Sequence, residues 1–371
     1  MENYLVSARK YRPASFDDVV GQRHITETLI HEIESNKLAQ AFLFTGPRGV
    51  GKTTCARILA KVINSRVPGV DPNQDFAFNI FELDAASNNS VEDIRGLNEQ
   101  VRIPPQVGKY KVYIIDEVHM LSTSAFNAFL KTLEEPPSYA IFILATTEKH
   151  KVLPTILSRC QVFNFNRIHI RDMVAHLQGI AEKEGVQAEE QALHLIAQKA
   201  DGGLRDALSI FDQLVSFSGG VLTYAKAIEI LNVLDADTYF QLTDFILSED
   251  RAQALLLFDS ILSKGFDGQF FLSGLSEHFR NLMVCREPKT ENLLDVAEAV
   301  KPKYAHQATR VNLSFLMNAL NITSEADQQY RTSRNPRLLV ELALLKLCHL
   351  NEFIRTAPDI EELKKKFLSE D

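Results

Sequence analysis

Apolar residues along this chain follow two rhythms. Up to residue 166 they gather into short, nearly unbroken runs: AFLFT (41–45), FNIFELD (78–84), KVYIID (111–116), YAIFILATT (139–147) and QVFNFN (161–166). Between these runs lie KTTCARILAKVI (52–63), SVEDIRGLNEQV (90–101) and SAFNAFLKTLEE (124–135), whose apolar residues recur three and four apart. The first kind of run predicts strands and the second predicts helices with one buried face. Ser90, with Asp93 three residues on, spells a capping box, and Pro136 and Pro137 stop the third helix. Strands that are apolar throughout and alternate with helices predict an α/β domain over residues 1–167, a parallel five-stranded sheet with helices on both faces.

Beyond residue 167 only the helical rhythm remains. IHIRDMVAHLQGIAEKEG, stopped by Gly185, then EEQALHLIAQKADGG, LRDALSIFDQLVSF and YAKAIEILNVL predict a small helical domain over 168–234. An all-α domain follows over 235–352, with YFQLTDFILSED, AQALLLFDSILSKG, FFLSGLSEHFRNLMV and PRLLVELALLKLCHL as its clearest helices. EELKKKFLSED, within a charged tail at 353–371, reads as an amphipathic helix or a frayed end.

Composition removes several function classes. The formal net charge of −8 argues against gripping DNA by bulk charge, although helix N-termini and local cations can still hold phosphate. There is no apolar run of membrane-spanning length, and MENYLVSARKYRP lacks the apolar segment of a secretory signal. The expected setting is cytoplasmic, with no membrane partner. The four cysteines, Cys55, Cys160, Cys285 and Cys348, are far apart, which fits a reduced protein without a disulfide framework or a cysteine zinc site.

The chemistry lies at the strand ends. GPRGVGKT, from Gly46 through Pro47, Arg48, Gly49, Val50, Gly51 and Lys52 to Thr53, with Thr54 after it, joins a strand to a helix and fits G-x-x-x-x-G-K-S/T. Backbone N–H groups turned inward would cradle phosphates, Lys52 would reach the β- and γ-phosphates of ATP, and Thr53 would ligate Mg²⁺. VYIIDE ends its strand in Asp116, a hard oxygen donor suited to Mg²⁺, and in Glu117, which can polarise an attacking water. Thr147 closes the next strand and either serves the reaction, touching the γ-phosphate or orienting the water, or caps the following turn. Arg205 sits in the first turn of the helix beginning at GGLRDAL, where a cation opposes the helix dipole unless an anion is near; Asp206 could be that anion. Arg159, in ILSRC, has no evident partner.

RKYRP (9–13), GPRGVGKTT (46–54), IIDEVHMLS (114–122), ILSRC (156–160) and GGLRDAL (202–208), taken in order, resemble the AAA+ ATPases of sliding-clamp loaders. HMLSTSAFNAFLKTLEEPP and LATTEKHKVLPTILSRC narrow the likeness to the gamma/tau subunits of bacterial DNA polymerase III, and RNPRLLVELALLKL carries it into the helical end. The resemblance implies an AAA+ domain, a helical lid and a collar that holds subunits together. It makes Arg159 an arginine finger acting in trans on a neighbour's ATP, with Thr147 and Arg205 as sensors of nucleotide state and Tyr11 and Arg12 beside the adenine. It also implies partners: other loader subunits and copies of this chain in a pentameric, ring-like assembly, the sliding clamp, and primer–template DNA, within a holoenzyme that is a DNA-directed DNA polymerase. The helices starting near Ser90 and Ser122 are candidates for the DNA grip.

Two departures stand out. Where the family usually carries a four-cysteine zinc module, this chain has NSRVPGVDPNQDFAFN (64–79), so no zinc is expected there. The longer family form carries an extension past the collar that contacts the polymerase and the replicative helicase, and those contacts are not expected of the sequence given, which reaches residue 371. Three other readings compete. A silent scaffold subunit would have a ruined P-loop. A branch-migration motor or recombination mediator would rarely join HMLS…FNAFLKTLEEPP to a collar. A small-molecule kinase would need an acceptor lid and no Ser-Arg-Cys arginine.

Overall fold

A computed structural model describes residues 5–66, 76, 78–106, 108–294, 296–297 and 300–356. The chain divides into two compact units, Met1–Leu222 and Thr223–Asp371. Most of the shortened 64–79 segment and the tail beyond Thr356 lie outside the described residues, and with them the expectations about zinc and about the tail.

The first unit is built on five strands: β1 (Ala41–Thr45), β2 (Ile80–Asp84), β3 (Lys111–Asp116), β4 (Ala140–Thr146) and β5 (Gln161–Asn164). They form one parallel sheet in the order β2-β3-β4-β1-β5. Side chains alternate across it, as the strand period dictates. Phe42, Phe44, Ile114 and Ile143 face one way and pack with Ile25, Leu29, Leu59 and Ile63 from the helices Arg23–Glu34 and Lys52–Ser65. Leu43, Tyr113, Ile115, Phe142 and Leu144 face the other way and meet Ile94, Leu97, Phe126 and Phe129 from the helices Val91–Val101 and Thr123–Glu134. Two dry faces explain why the central strands read as continuous apolar runs.

The helix Val91–Val101 opens with the capping box that Ser90 and Asp93 spell, both halves made. Its far end is held by Lys111 of β3, whose buried ammonium donates to the carbonyls of Gln100 (2.9 Å) and Ile103 (3.2 Å). A cation at that end also suits the helix dipole. Three strands are shorter than their apolar runs, and one is β4, which loses a residue at each end so that Thr147 lies just beyond it. β2 starts at Ile80 because Phe78 stands in an exposed turn, and β5 ends at Asn164, after which the backbone leaves the sheet. Three lid helices, Ile170–Glu184, Glu190–Lys199 and Leu204–Ser218, complete the unit. A parallel pair of two-residue strands, Gln187–Ala188 and Val221–Leu222, ties off the lid.

The second unit begins at Thr223, so the helix Tyr224–Leu231, read above with the lid, is grouped here. It is all-helical among the described residues and closes over a core containing Phe258, Phe271, Phe279, Phe315 and Leu344. Within it His278 is buried, its two ring nitrogens 3.1 Å from the Tyr304 hydroxyl and 3.0 Å from Gln307 Oε1.

Candidate functional site

The site gathers at the C-terminal ends of β1, β3 and β4. Leaving β1, the chain must pass between the ends of its two neighbours. Gly46 does so at φ 142°, donating its N–H to the carbonyl of Thr146; a Cβ there would lie 2.3 Å from the Phe165 carbonyl oxygen. Gly51 caps the helix Lys52–Ser65. Lys52 in its first turn is buried, and its ammonium donates to the carbonyls of Gly46 (2.8 Å) and Pro47 (2.7 Å), spanning the loop it springs from. Burial lowers the pKa of Lys52, against the opposing pull of the Glu117 and Asp116 carboxylates. A desolvated ammonium facing carboxylates is arranged to receive a polyanion. Thr53 Oγ1 donates to Asp116 Oδ2 at 2.7 Å, so both hard oxygen donors expected for Mg²⁺ stand together.

Because β4 lies between β1 and β3, the Thr146–Thr147 corner comes between the phosphate loop and Glu117. Glu117 adopts the left-handed backbone (φ 48°, ψ 43°), which is uncommon for a side-chain-bearing residue and costs about 1–3 kcal/mol. Its N–H donates to Asp116 Oδ1 (2.9 Å), and its carboxylate accepts from Thr147 Oγ1 (3.1 Å) and the Thr147 N–H (3.4 Å). Of the two roles open to Thr147, the turn-capping one falls to its neighbour: Thr146 Oγ1 accepts from the Glu148 N–H at 3.0 Å. Sequence reasoning passed over His119, in the single turn Val118–Met120; its ring lies beside Thr146, Glu117 and Glu148.

The cleft beside the phosphate loop is lined by Tyr11, Arg12 and Pro13 from the N-terminal segment, by Arg48 to Thr54, by Asp116 and Glu117, and by Leu204, Arg205 and Leu208 from the lid. The lid comes very close. The Gly203 Cα would lie 3.2 Å from a Cβ on Gly49, and the Arg205 N–H donates to the Gly49 carbonyl at 3.4 Å. The N-terminal segment is clasped to the lid by acids that no motif marks. The Ser7 N–H and hydroxyl both donate to Asp212, while Lys10 Nζ (2.6 Å) and the Tyr11 hydroxyl (2.5 Å) both reach Glu184. Hydrogen bonds from Lys10 and then Tyr11 hold the Glu184 carboxyl below its ordinary pKa.

Arg159 is not among the residues lining this cleft. Its guanidinium pairs with Glu134 at the end of the helix Thr123–Glu134 and donates to the Thr155 carbonyl at 2.6 Å. Lys52, Thr53, Asp116, Glu117, Arg205, Tyr11 and Arg12 are therefore brought together. Thr147 adjoins them through Glu117, and Arg159 stands apart.

Comparison with known proteins accounts for most of the chain. Residues 21–169 match a family described as DNA polymerase III, delta subunit, and residues 172–220 match the ATPase lid domain of the DNA polymerase III clamp loader subunit. Residues 222–363 match domain III of the gamma and tau subunits. The chain is 38% identical to the DNA polymerase III subunit tau of Bacillus subtilis, over 98% of its own length and 67% of that protein's. It is 36% identical to the gamma/tau subunit of Mycobacterium tuberculosis, covering 91% of itself and 62% of the relative. With the gamma subunit of Buchnera aphidicola it shares 33% identity, over 94% of itself and 98% of the relative. It thus spans about two thirds of the longer curated relatives and nearly all of the shorter one.

Proposed function

Because the chain belongs to the gamma/tau family of DNA polymerase III clamp-loader subunits, we propose that it binds and hydrolyses ATP to open a sliding clamp and set it on primed DNA. The observation that carries this reading is one cleft holding Lys52, the Thr53–Asp116 pair and Glu117, with Arg205 of the lid across it and Arg159 elsewhere on the same unit.

Phosphates enter over the N–H groups of the Gly46–Thr53 loop, and Lys52 exchanges its two carbonyl partners for phosphate oxygens. Thr53 and Asp116, both hard oxygen donors, would hold Mg²⁺, which supplies neutralisation of phosphate charge when bound. Glu117 orients and deprotonates the attacking water once Thr147 gives up its hold. Tyr11 and Arg12 flank the adenine, and Arg205 reports nucleotide state to the lid helix whose first turn it occupies. Arg159 completes a neighbour's site, where a guanidinium on the transferring phosphoryl group speeds hydrolysis about 10³- to 10⁵-fold. ATP then acts as a bond between subunits. Copies of the chain and other loader subunits form a pentameric ring in the cytoplasm, joined through the helical second unit. The capped N-termini at Ser90 and Ser122 offer N–H groups to DNA phosphates.

The test is ATP hydrolysis by the chain alone and then with the partner subunits, clamp and primed DNA. Strong stimulation that Arg159→Ala abolishes, with ATP binding retained, is the expected result. A rate indifferent to clamp and primed DNA would remove the loader assignment.

A further inference from the structure

His119 does work that no motif assigns to it. The turn that carries it is flanked by Val118 and Leu121, both buried. Its own side chain is 7% exposed. Nδ1 lies 3.0 Å from Thr146 Oγ1 and 3.4 Å from Glu117 Oε2; Nε2 lies 3.3 Å from Glu148 Oε1. Glu148 is held on its outer side by Lys151 at 2.8 Å, and His150 approaches at 3.6 Å. The Glu148 N–H donates to Thr146 Oγ1, and the two ring nitrogens of His119 bridge that hydroxyl to the Glu148 carboxylate. The imidazole thereby locks the β4 corner whose next residue, Thr147, holds the Glu117 carboxylate.

We infer that His119 is a positioning residue for the hydrolytic carboxylate, acting with Glu148 to fix where Glu117 points. Glu148 also begins the turn Lys149–Lys151, which leads directly into the short helix Pro154–Leu157 and then Arg159. The segment that sets this chain's own water-activating group is therefore continuous with the one that carries the residue proposed for its neighbour's site. The inference rests on the assignment of Glu117 as the water-activating residue.

The experiment uses the full chain assembled with its loader partners, clamp and primed DNA. It measures single-turnover hydrolysis and, separately, ATP affinity with a fluorescent nucleotide analogue. Glu117→Gln first tests the underlying assignment: hydrolysis should be lost with binding kept, and normal hydrolysis would overturn both the assignment and this inference. With that control in hand, His119→Ala should slow hydrolysis about 10- to 100-fold, the scale of a misplaced catalytic group, while affinity stays within about a factor of two. His119→Gln, which keeps a donor and an acceptor, should recover most of the rate. Glu148→Gln should slow hydrolysis less, and adding it to His119→Ala should cost nothing more, because one contact is lost only once. Wild-type hydrolysis by His119→Ala would overturn the inference. So would losses in all three variants that merely follow nucleotide affinity or melting temperature.

Discussion

At the scale of single residues, the strongest expectations concern Glu117 and Gly46. Glu117→Gln should keep ATP binding and lose about 10²- to 10⁴-fold in turnover, the usual contribution of a general base; nucleotide titration beside a phosphate-release assay decides it. Gly46→Ala should abolish nucleotide binding, since the added methyl meets the Phe165 carbonyl and φ 142° is closed to alanine; the same titration checks it. Much at this scale was legible. The phosphate loop, Asp116 and Glu117 announce themselves because their chemistry depends on spacing within one short stretch. Asp212 and Glu184 were not legible, because an acid on an amphipathic helix looks like any solvated residue until the fold sets Ser7 and Tyr11 against it. Thr147 was readable only as a choice between two roles. Which hydroxyl caps the turn depends on a backbone geometry that two adjacent threonines leave open.

Among elements, the capping box is the sharpest test. Ser90→Ala should lower stability by ~1 kcal/mol in denaturant unfolding, with no change in nucleotide affinity, because the helix Val91–Val101 starts away from the cleft lining. The elements easiest to read were those with a clean period bounded by a cap or a proline. The helix Leu313–Tyr330 escaped notice because its second half, NITSEADQQY, is polar and interrupts the apolar spacing, although Asn312 caps it well. The strands Gln187–Ala188 and Val221–Leu222 are too short to carry any period. They exist because the lid brings two distant backbones side by side.

For the whole molecule, one source of acid sensitivity lies in the second unit. Burial holds the His278 imidazole at about 4 against an ordinary 6.5, despite hydrogen bonding to Gln307 and the pull of Asp244. Between those values the unfolded chain binds a proton that the folded chain refuses. Stability is therefore complete above the ordinary value and falls as pH falls toward 4. The loss from this group should be about 2 kcal/mol between pH 7 and pH 5, read by denaturant unfolding followed by circular dichroism. His278→Gln should flatten that dependence. Fold class was legible at this scale, since strand–helix alternation followed by helices alone allows few architectures. Strand order was not. Nothing in AFLFT says that its hydrogen-bonding neighbours are the fourth and fifth strands rather than the second.

That strand order has a consequence in time. A ribosome delivers β1 early, but both strands that pair with it come roughly 100 residues later, a wait of about 5–20 s at ordinary rates of synthesis. Until then the apolar edge of AFLFT has no native mate, and the phosphate loop that hangs from it has no wall to turn against. The nascent chain is therefore most exposed to mispairing before β4 emerges, and a holding chaperone would find its binding segment there.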